Sequence, residues 1–138
     1  LPPGHLDAIG KLIEFNSSCA PVFVQRGAMA ALAIADDFVP GLVERLRAGR
    51  DLLVGGLQTM PDVRVALPLG GMYAFFRVEG QPDSLAYAKR LVAAHGLGLA
   101  PGVAFGAEAE GWLRWCFAAK DPARLQQGLG RLTAALDL

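Results

Sequence analysis

The chain has 138 residues, enough for one modest domain with a hydrophobic core. Apolar residues make up 53% of it and charged residues 19%, which excludes a disordered composition. The 13 basic and 13 acidic side chains balance, so the chain lacks the excess of positive charge that is typical of nucleic-acid-binding proteins. Charges, Gly or Pro interrupt every apolar run before it reaches the length of a membrane span. No signal peptide is recognised, and a reducing cytoplasm is the expected location.

Helical periodicity runs through the first part of the chain and predicts three helices. The second helix is rich in small and apolar residues, and Pro21 lies in its first turn. The third begins with two acidic residues, which complement the positive end of the helix dipole. Glycines inside this long helix are expected to weaken it and to mark bends. The predicted helices cover residues 6–14, 21–35 and 36–58, and the glycines are Gly41, Gly49, Gly55 and Gly56.

The second part of the chain changes to the alternation that is typical of strands. Its first two strands are expected to pair antiparallel. Asp83 or Ser84 is predicted to cap the fourth helix, and Gly96 to end it. A last helix opens at Pro122. The predicted strands cover 63–67, 72–78, 97–100 and 112–118, and the fourth helix covers 85–95.

One charge, Arg114, interrupts the last apolar strand. A guanidinium in a mostly buried strand is costly unless an anion meets it. The planar fork of arginine grips a carboxylate with two parallel hydrogen bonds. Two interpretations therefore stay open: a carboxylate-binding arginine at a cleft, or an edge-strand arginine that reaches solvent or pairs with an acidic side chain.

The other chemically active residues give weaker signals. Cys19 and Cys116 lie far apart in the sequence, and together with the two histidines they do not show the spacing of metal ligands. Both are expected to behave as small buried apolar residues. Glu108 and Glu110 lie in a glycine-bearing loop and are expected to be solvated. No phosphate-binding loop or nucleophile elbow is present. The lysines, expected on the surface, are Lys11, Lys89 and Lys120.

Three stretches, taken in order, resemble the C-terminal part of fold type I pyridoxal-phosphate enzymes, the aspartate aminotransferase class I/II family. Gln25 with the following alanines and Leu32 is similar to the family's Gln-x-Ala-x-x-Ala-Leu helix. Residues 67–76 are similar to its Pro-x-Gly-x-(Met/Phe)-Tyr strand entry. Residues 98–106 and 113–118 are similar to its Pro-Gly-x-x-Phe-Gly and (Leu/Ile)-Arg-x-x-(Phe/Tyr)-Ala signature.

The resemblance implies an α/β fold (an α+β small domain). A small, mostly antiparallel sheet covered by helices would follow helices of the large domain. Residues 1–35 would be the tail of the large cofactor-binding domain, 36–59 the long interdomain helix, and 60–138 the C-terminal small domain. The loop from Asn16 to Ala20 would lie near a dimer interface.

The resemblance also implies a function. The parent protein would be a pyridoxal 5'-phosphate-dependent transaminase that moves an amino group between an amino acid and a 2-oxo acid. It would act as a cytoplasmic homodimer, with no nucleic acid or membrane as partner. Arg114 would bind the substrate α-carboxylate, and Phe105 with the 101–106 loop would help to wall the cleft. The Schiff-base lysine and the other cofactor-binding residues would lie upstream, so this chain is expected to supply neither and to be inactive alone.

The alternative from a different class is an aminotransferase-like, effector-sensing domain of a transcription regulator. It would have similar residues in this stretch. A DNA-binding module upstream would distinguish it from the enzyme.

Overall fold

The computed structural model describes residues 3–136. The chain divides into two compact units, with the boundary between Gly41 and Leu42. The boundary falls inside a helix. No helix in the described part of the chain is both long and apolar enough to cross a membrane.

The first unit is helical, as predicted. A short 3-10 turn, Pro3–His5, leads into α1, Leu6–Asn16, and α2 spans Val22–Ala33. Pro21 caps α2 from outside, since its carbonyl accepts hydrogen bonds from Val24 N–H and Gln25 N–H. No residue of α1 or α2 is buried. The apolar side chains of these two helices therefore face solvent in this chain.

The third helix, α3, spans Ala35–Gln58 without interruption and so runs through all four of its glycines. A Cβ atom at Gly49 would lie 2.4 Å from the backbone oxygen of Phe117, and one at Gly56 would lie 2.4 Å from Leu129 Cδ1. These two glycines let neighbouring segments pack directly on the helix backbone. Gly41 and Gly55 have open space at the same position.

The second unit contains one four-stranded sheet. Its order is β1-β2-β4-β3, and every neighbouring pair is antiparallel, which confirms the expected small antiparallel sheet. Two helices, α4 and α5, follow β2 and β4 in sequence. The bounds are β1 Val63–Val65, β2 Tyr73–Val78, α4 Ser84–His95, β3 Ala100–Pro101, β4 Trp112–Cys116 and α5 Pro122–Leu136.

The hydrophobic core lies between the helices and one face of the sheet. Alternate residues of β2 and β4, including Phe76 and Leu113, are buried, as the period of two in a strand requires. Helices α3, α4 and α5 contribute Leu57, Leu91 and Leu132 to the same cluster. The side chains between these strand positions consequently lie on the opposite face.

The third strand is shorter and later than predicted. Gly96 adopts a left-handed φ of 60°, and its N–H donates to Val92 O, while Leu97 N–H donates to Leu91 O. This pair of bonds closes the C-terminus of α4, so residues 96–97 belong to a helix cap. The apolar run from Leu97 was predicted to be strand, but Leu97 packs into the core from the cap and pairing starts only at Ala100.

Candidate functional site

The candidate site lies on the sheet face opposite the core. On β2 and β4 this face alternates strictly with the core face. The register places Phe75 opposite Arg114, and Tyr73 opposite Cys116. Residues directly opposite in an antiparallel pair have neighbouring side chains. Strand pairing thus surrounds Arg114 with aromatic residues.

Arg114 is half-buried and lies between two aromatic rings. Its Cζ atom is 4.2 Å from the centroid of the Tyr73 ring and 3.9 Å from that of the Phe105 ring. Both distances fall well inside the range of cation–π attraction. Neither a carboxylate nor a hydrogen-bond acceptor of the described residues engages the guanidinium. The positive charge is therefore stabilised by two electrically neutral rings, and it has no anionic counterpart among the described residues.

The two other arginines of the sheet have an acidic partner. Arg77 Nη2 lies 3.0 Å from Glu79 Oε1, and Arg64 donates to the same oxygen. Hydrogen bonds from Arg77 and then Arg64 hold the pKa of Glu79 below its ordinary value. The second interpretation of Arg114 included an ion pair with an acidic side chain, and no such pair is observed among the described residues. The guanidinium remains available for an anion from outside the described chain.

The loop from Gly102 to Gly111 brings Phe105 to Arg114. It begins with a 3-10 turn, Gly102–Phe105. Gly102 is buried, and a Cβ atom there would lie 1.9 Å from Ala109 O. Only glycine allows the loop to fold back on itself this closely. Phe105 then packs edge-on against Phe75, with 5.7 Å between ring centroids.

Hydrogen bonds tie this loop to the start of α4. Ser84 is buried, and its hydroxyl accepts a hydrogen bond from Val103 N–H at 3.2 Å. Glu110 Oε1 accepts from Ser84 N–H at 2.7 Å and from Gly111 N–H at 2.9 Å. The side chain of Ser84, followed by these two backbone N–H groups, lowers the pKa of Glu110. Glu110 is exposed, as expected, and its carboxylate in addition joins the loop to α4.

The prediction that both cysteines are buried is wrong. Cys116 is exposed because it falls on the face of β4 that the helices do not cover. Cys19 is exposed in the connection between α1 and α2, next to Ser18 with its positive φ of 55°. Strand alternation could have placed Cys116 outward, since Trp115 and Leu113 define the core face.

The sequence analysis missed Tyr73. It named Phe105 as a wall of the cleft but did not identify it as a contact of Arg114. Tyr73 lies in residues 67–76 and Phe105 in residues 98–106. Nothing in their spacing shows that these two separate segments meet at one guanidinium. Both rings lie against the cation, and its N–H donors have no acceptor among the described residues. The arrangement can therefore bind a planar oxyanion edge-on, through parallel charge-assisted hydrogen bonds.

A pyridoxal cofactor would need an amine nucleophile and a phosphate cradle in the same site. No described lysine forms a hydrogen bond, an ion pair or a cation–π pair with Arg114, Tyr73 or Phe105. Lys89 lines a groove between α4 and β3, and Lys120 lies in the loop before α5. The described residues can thus bind an anion and do not by themselves fit the cofactor.

Comparison with known proteins places these features in a family. The family description "Aminotransferase class I and II" matches residues 5–132. A probable aspartate aminotransferase of Methanocaldococcus jannaschii is 34% identical over 119 residues, covering 84% of this chain and 31% of that protein. An LL-diaminopimelate aminotransferase of Desulforudis audaxviator is 30% identical over 133 residues, covering 96% of this chain and 33% of that protein.

The fold comparison agrees. The crystal structure of an aspartate aminotransferase from Thermotoga maritima has a TM-score of 0.80 at 28% identity, covering 96% of this chain and 33% of that one. The predicted fold class is therefore confirmed. The chain spans about a third of the length of the curated relatives it matches.

Proposed function

Because this chain belongs to the family of class I and II aminotransferases, we propose that it is the C-terminal portion of a transaminase. The whole protein moves an amino group between an amino acid and a 2-oxo acid. The observation that carries the proposal is the half-buried Arg114, stacked between two rings and without a described acidic partner. The relatives named above are a probable aspartate aminotransferase and an LL-diaminopimelate aminotransferase, and both of these amino acids carry an α-carboxylate.

In this function Arg114 binds the α-carboxylate of the substrate. Two parallel N–H to oxygen bonds fix the carboxylate and restrict rotation of the group attached to it. Phe105 and the 101–106 loop form one wall of the cleft and shield this ion pair from water. Shielding strengthens the attraction, because the effective dielectric falls.

The cofactor of the proposed reaction is pyridoxal 5'-phosphate, which supplies the electron sink when bound. We assign none of its contacts to the described residues. The lysine that holds it is proposed to lie upstream of this chain in the whole protein. By this proposal the 138-residue chain alone has no transaminase activity.

The domain assignment is part of the same proposal. Residues 1–35 are the tail of the large cofactor-binding domain, 36–59 the interdomain helix and 60–138 the small domain. Support comes from the first unit, where apolar side chains such as Phe15, Phe23 and Leu32 are more than three-quarters exposed. A large domain would cover them. A homodimer in the cytoplasm is proposed on family membership.

The alternative weighed from the sequence, an effector-sensing domain of a transcription regulator, gains no support from the relatives named above. Both proteins are named as aminotransferases. No described contact favours sensing over turnover, so the transaminase is the proposed function.

The test is a transamination assay on the whole protein that contains this sequence, supplied with pyridoxal phosphate and 2-oxoglutarate. A panel of L-amino acids serves as donors, and glutamate formation is followed. At least one donor should give turnover, and Arg114→Ala should raise its KM by about 10- to 100-fold, the value of a lost charge-assisted pair. No turnover with any donor, or an unchanged KM in Arg114→Ala, would overturn the proposal.

A further inference from the structure

The contacts of Arg114 show how its direction is fixed before any ligand arrives. An arginine side chain on a sheet has many rotamers of similar energy, and ordering it on ligand binding takes free energy from affinity. Here the rings of Tyr73 and Phe105 lie 4.2 Å and 3.9 Å from its Cζ atom. Contact with two rings at once restricts those rotamers. The N–H donors of the guanidinium have no acceptor among the described residues.

The two rings come from independently supported segments. Tyr73 opens β2, whose pairing with β4 fixes its distance from Arg114. Phe105 comes from the loop that Gly102 and Ser84 hold in place, and its ring also packs on Phe75. Since neither ring depends on the other for its position, together they act as a fixed slot. We refer to Tyr73 and Phe105 as the aromatic slot.

We propose that Tyr73 and Phe105 are positioning residues, which hold the guanidinium of Arg114 edge-on to the substrate carboxylate. The inference rests on the proposed function of Arg114. Neither ring touches the carboxylate in this account. Each acts through the arginine, by keeping its fork ordered and by leaving its donors unpaired. Loss of one ring frees the guanidinium to turn toward solvent.

The test compares ring-removing with ring-keeping variants of the whole protein. Tyr73→Leu and Phe105→Leu each remove one stacking partner, whereas Tyr73→Phe and Phe105→Tyr retain the ring. Trp112→Leu is the matched control, because it removes an aromatic ring from the same sheet face that stacks 6.0 Å from a different arginine, Arg77. Arg114→Ala reports on the carboxylate site itself.

The first readout is the dissociation constant for propionate, a monocarboxylate without an amino group, measured by isothermal titration calorimetry. Each leucine variant of the aromatic slot should weaken binding by about tenfold, the upper end of the cost of ordering one rotamer-rich side chain on binding. The ring-keeping variants and Trp112→Leu should bind propionate as the unchanged protein does. Arg114→Ala should lose measurable binding.

The second readout is the split between KM and kcat with the best amino donor. Both leucine variants should raise KM by about tenfold and change kcat much less, because the reacting groups are untouched. Propionate binding that Arg114→Ala abolishes and both leucine variants retain would overturn the positioning role while leaving the carboxylate site intact. An equal loss in Trp112→Leu would overturn it too, by showing a general disturbance of the face. Propionate binding unaffected by Arg114→Ala would instead contradict the proposed function.

Discussion

At the scale of single residues, Arg114 is distinguished by what surrounds it. Arg64 and Arg77, on the same sheet, already share Glu79. Arg114 has aromatic neighbours, which lower the energy of the cation without occupying its hydrogen-bond donors. A cation stabilised in this way can be half-buried in the free protein and still exchange water for a carboxylate.

Tyr87 provides a residue-scale test of the core. Its hydroxyl oxygen is buried and has no hydrogen-bond partner among the described residues. Burial raises the pKa of this phenol. A buried polar group left unpaired costs about 1–3 kcal/mol, so Tyr87→Phe should raise the free energy of unfolding by about 1 kcal/mol. Urea unfolding followed by tryptophan fluorescence suits this measurement, because both tryptophans lie in β4. A less stable Tyr87→Phe variant would mean that the hydroxyl has a partner.

Glu110 provides a residue-scale test with pH. The folded chain lowers the pKa of its carboxyl below the ordinary value of 4.5, chiefly through Ser84. The stabilisation is therefore fully present above the unfolded pKa and is lost as pH falls through the folded pKa. Glu110→Gln should lower the urea midpoint at pH 7, and the difference from the unchanged chain should shrink below about pH 4.

Glu108→Gln is the matched control for that measurement. Glu108 lies in the same loop and accepts no hydrogen bond from the described residues. Its variant should follow the unchanged chain at both pH values. A Glu110→Gln effect of equal size at pH 7 and pH 3 would show that the ionised carboxylate is not what ties the loop to α4.

At the scale of elements, the glycines of α3 predict opposite outcomes for the same substitution. Gly49→Ala places a methyl group 2.4 Å from a backbone oxygen of Phe117 and should destabilise the chain by about 1–3 kcal/mol. Gly55→Ala meets nothing within 4 Å and should stabilise the same helix by up to about 1 kcal/mol. Both changes in stability are measured from the midpoints of urea unfolding. Two variants of equal stability would contradict the close approach of Phe117 to the helix.

The elements that sequence could predict are those with strong periodicity. Helices α1 to α5 and strands β2 and β4 lie within a few residues of their predicted bounds. The third strand was misplaced because an apolar run does not reveal whether its first residue caps a helix or pairs in a sheet. Gly96 and Leu97 form backbone bonds to α4, and these depend on the local turn geometry.

The candidate site was only partly predictable for a related reason. Arg114 stands out in the sequence as a lone charge in an apolar strand. Its stacking partners come from β2 and from a loop, so their meeting depends on strand register and on the fold of that loop. The exposure of Cys116 likewise depends on which face of the sheet the helices cover. The hydrogen bond from Ser84 N–H to Glu110 depends on where α4 begins.

At the scale of the whole molecule, the two units differ in how well they cover their apolar residues. The core cluster lies entirely in the second unit. The first unit buries no residue of α1 or α2, and its exposed side chains include Phe15 at 87% and Leu32 at 76%. Exposed apolar patches larger than a few hundred Å² are rare on monomeric proteins and mark interaction surfaces.

This contrast predicts concentration-dependent self-association of the 138-residue chain when it is prepared alone. Residues 42–138, which contain the whole core cluster, should sediment as a monomer under the same conditions. Analytical ultracentrifugation of both at several concentrations distinguishes them. A monomeric 138-residue chain would show that α1 and α2 need no covering partner, and would remove the support for a large-domain tail.

The central claim is that Arg114 holds the carboxylate of an amino acid substrate. Its most direct measurement is KM for the best amino donor and for the amine that lacks only the donor's carboxyl group, in the unchanged whole protein and in Arg114→Ala. The account predicts that the substitution raises KM for the amino acid by about 10- to 100-fold and leaves KM for the amine unchanged. An equal change for both donors, or no change for either, would contradict the claim.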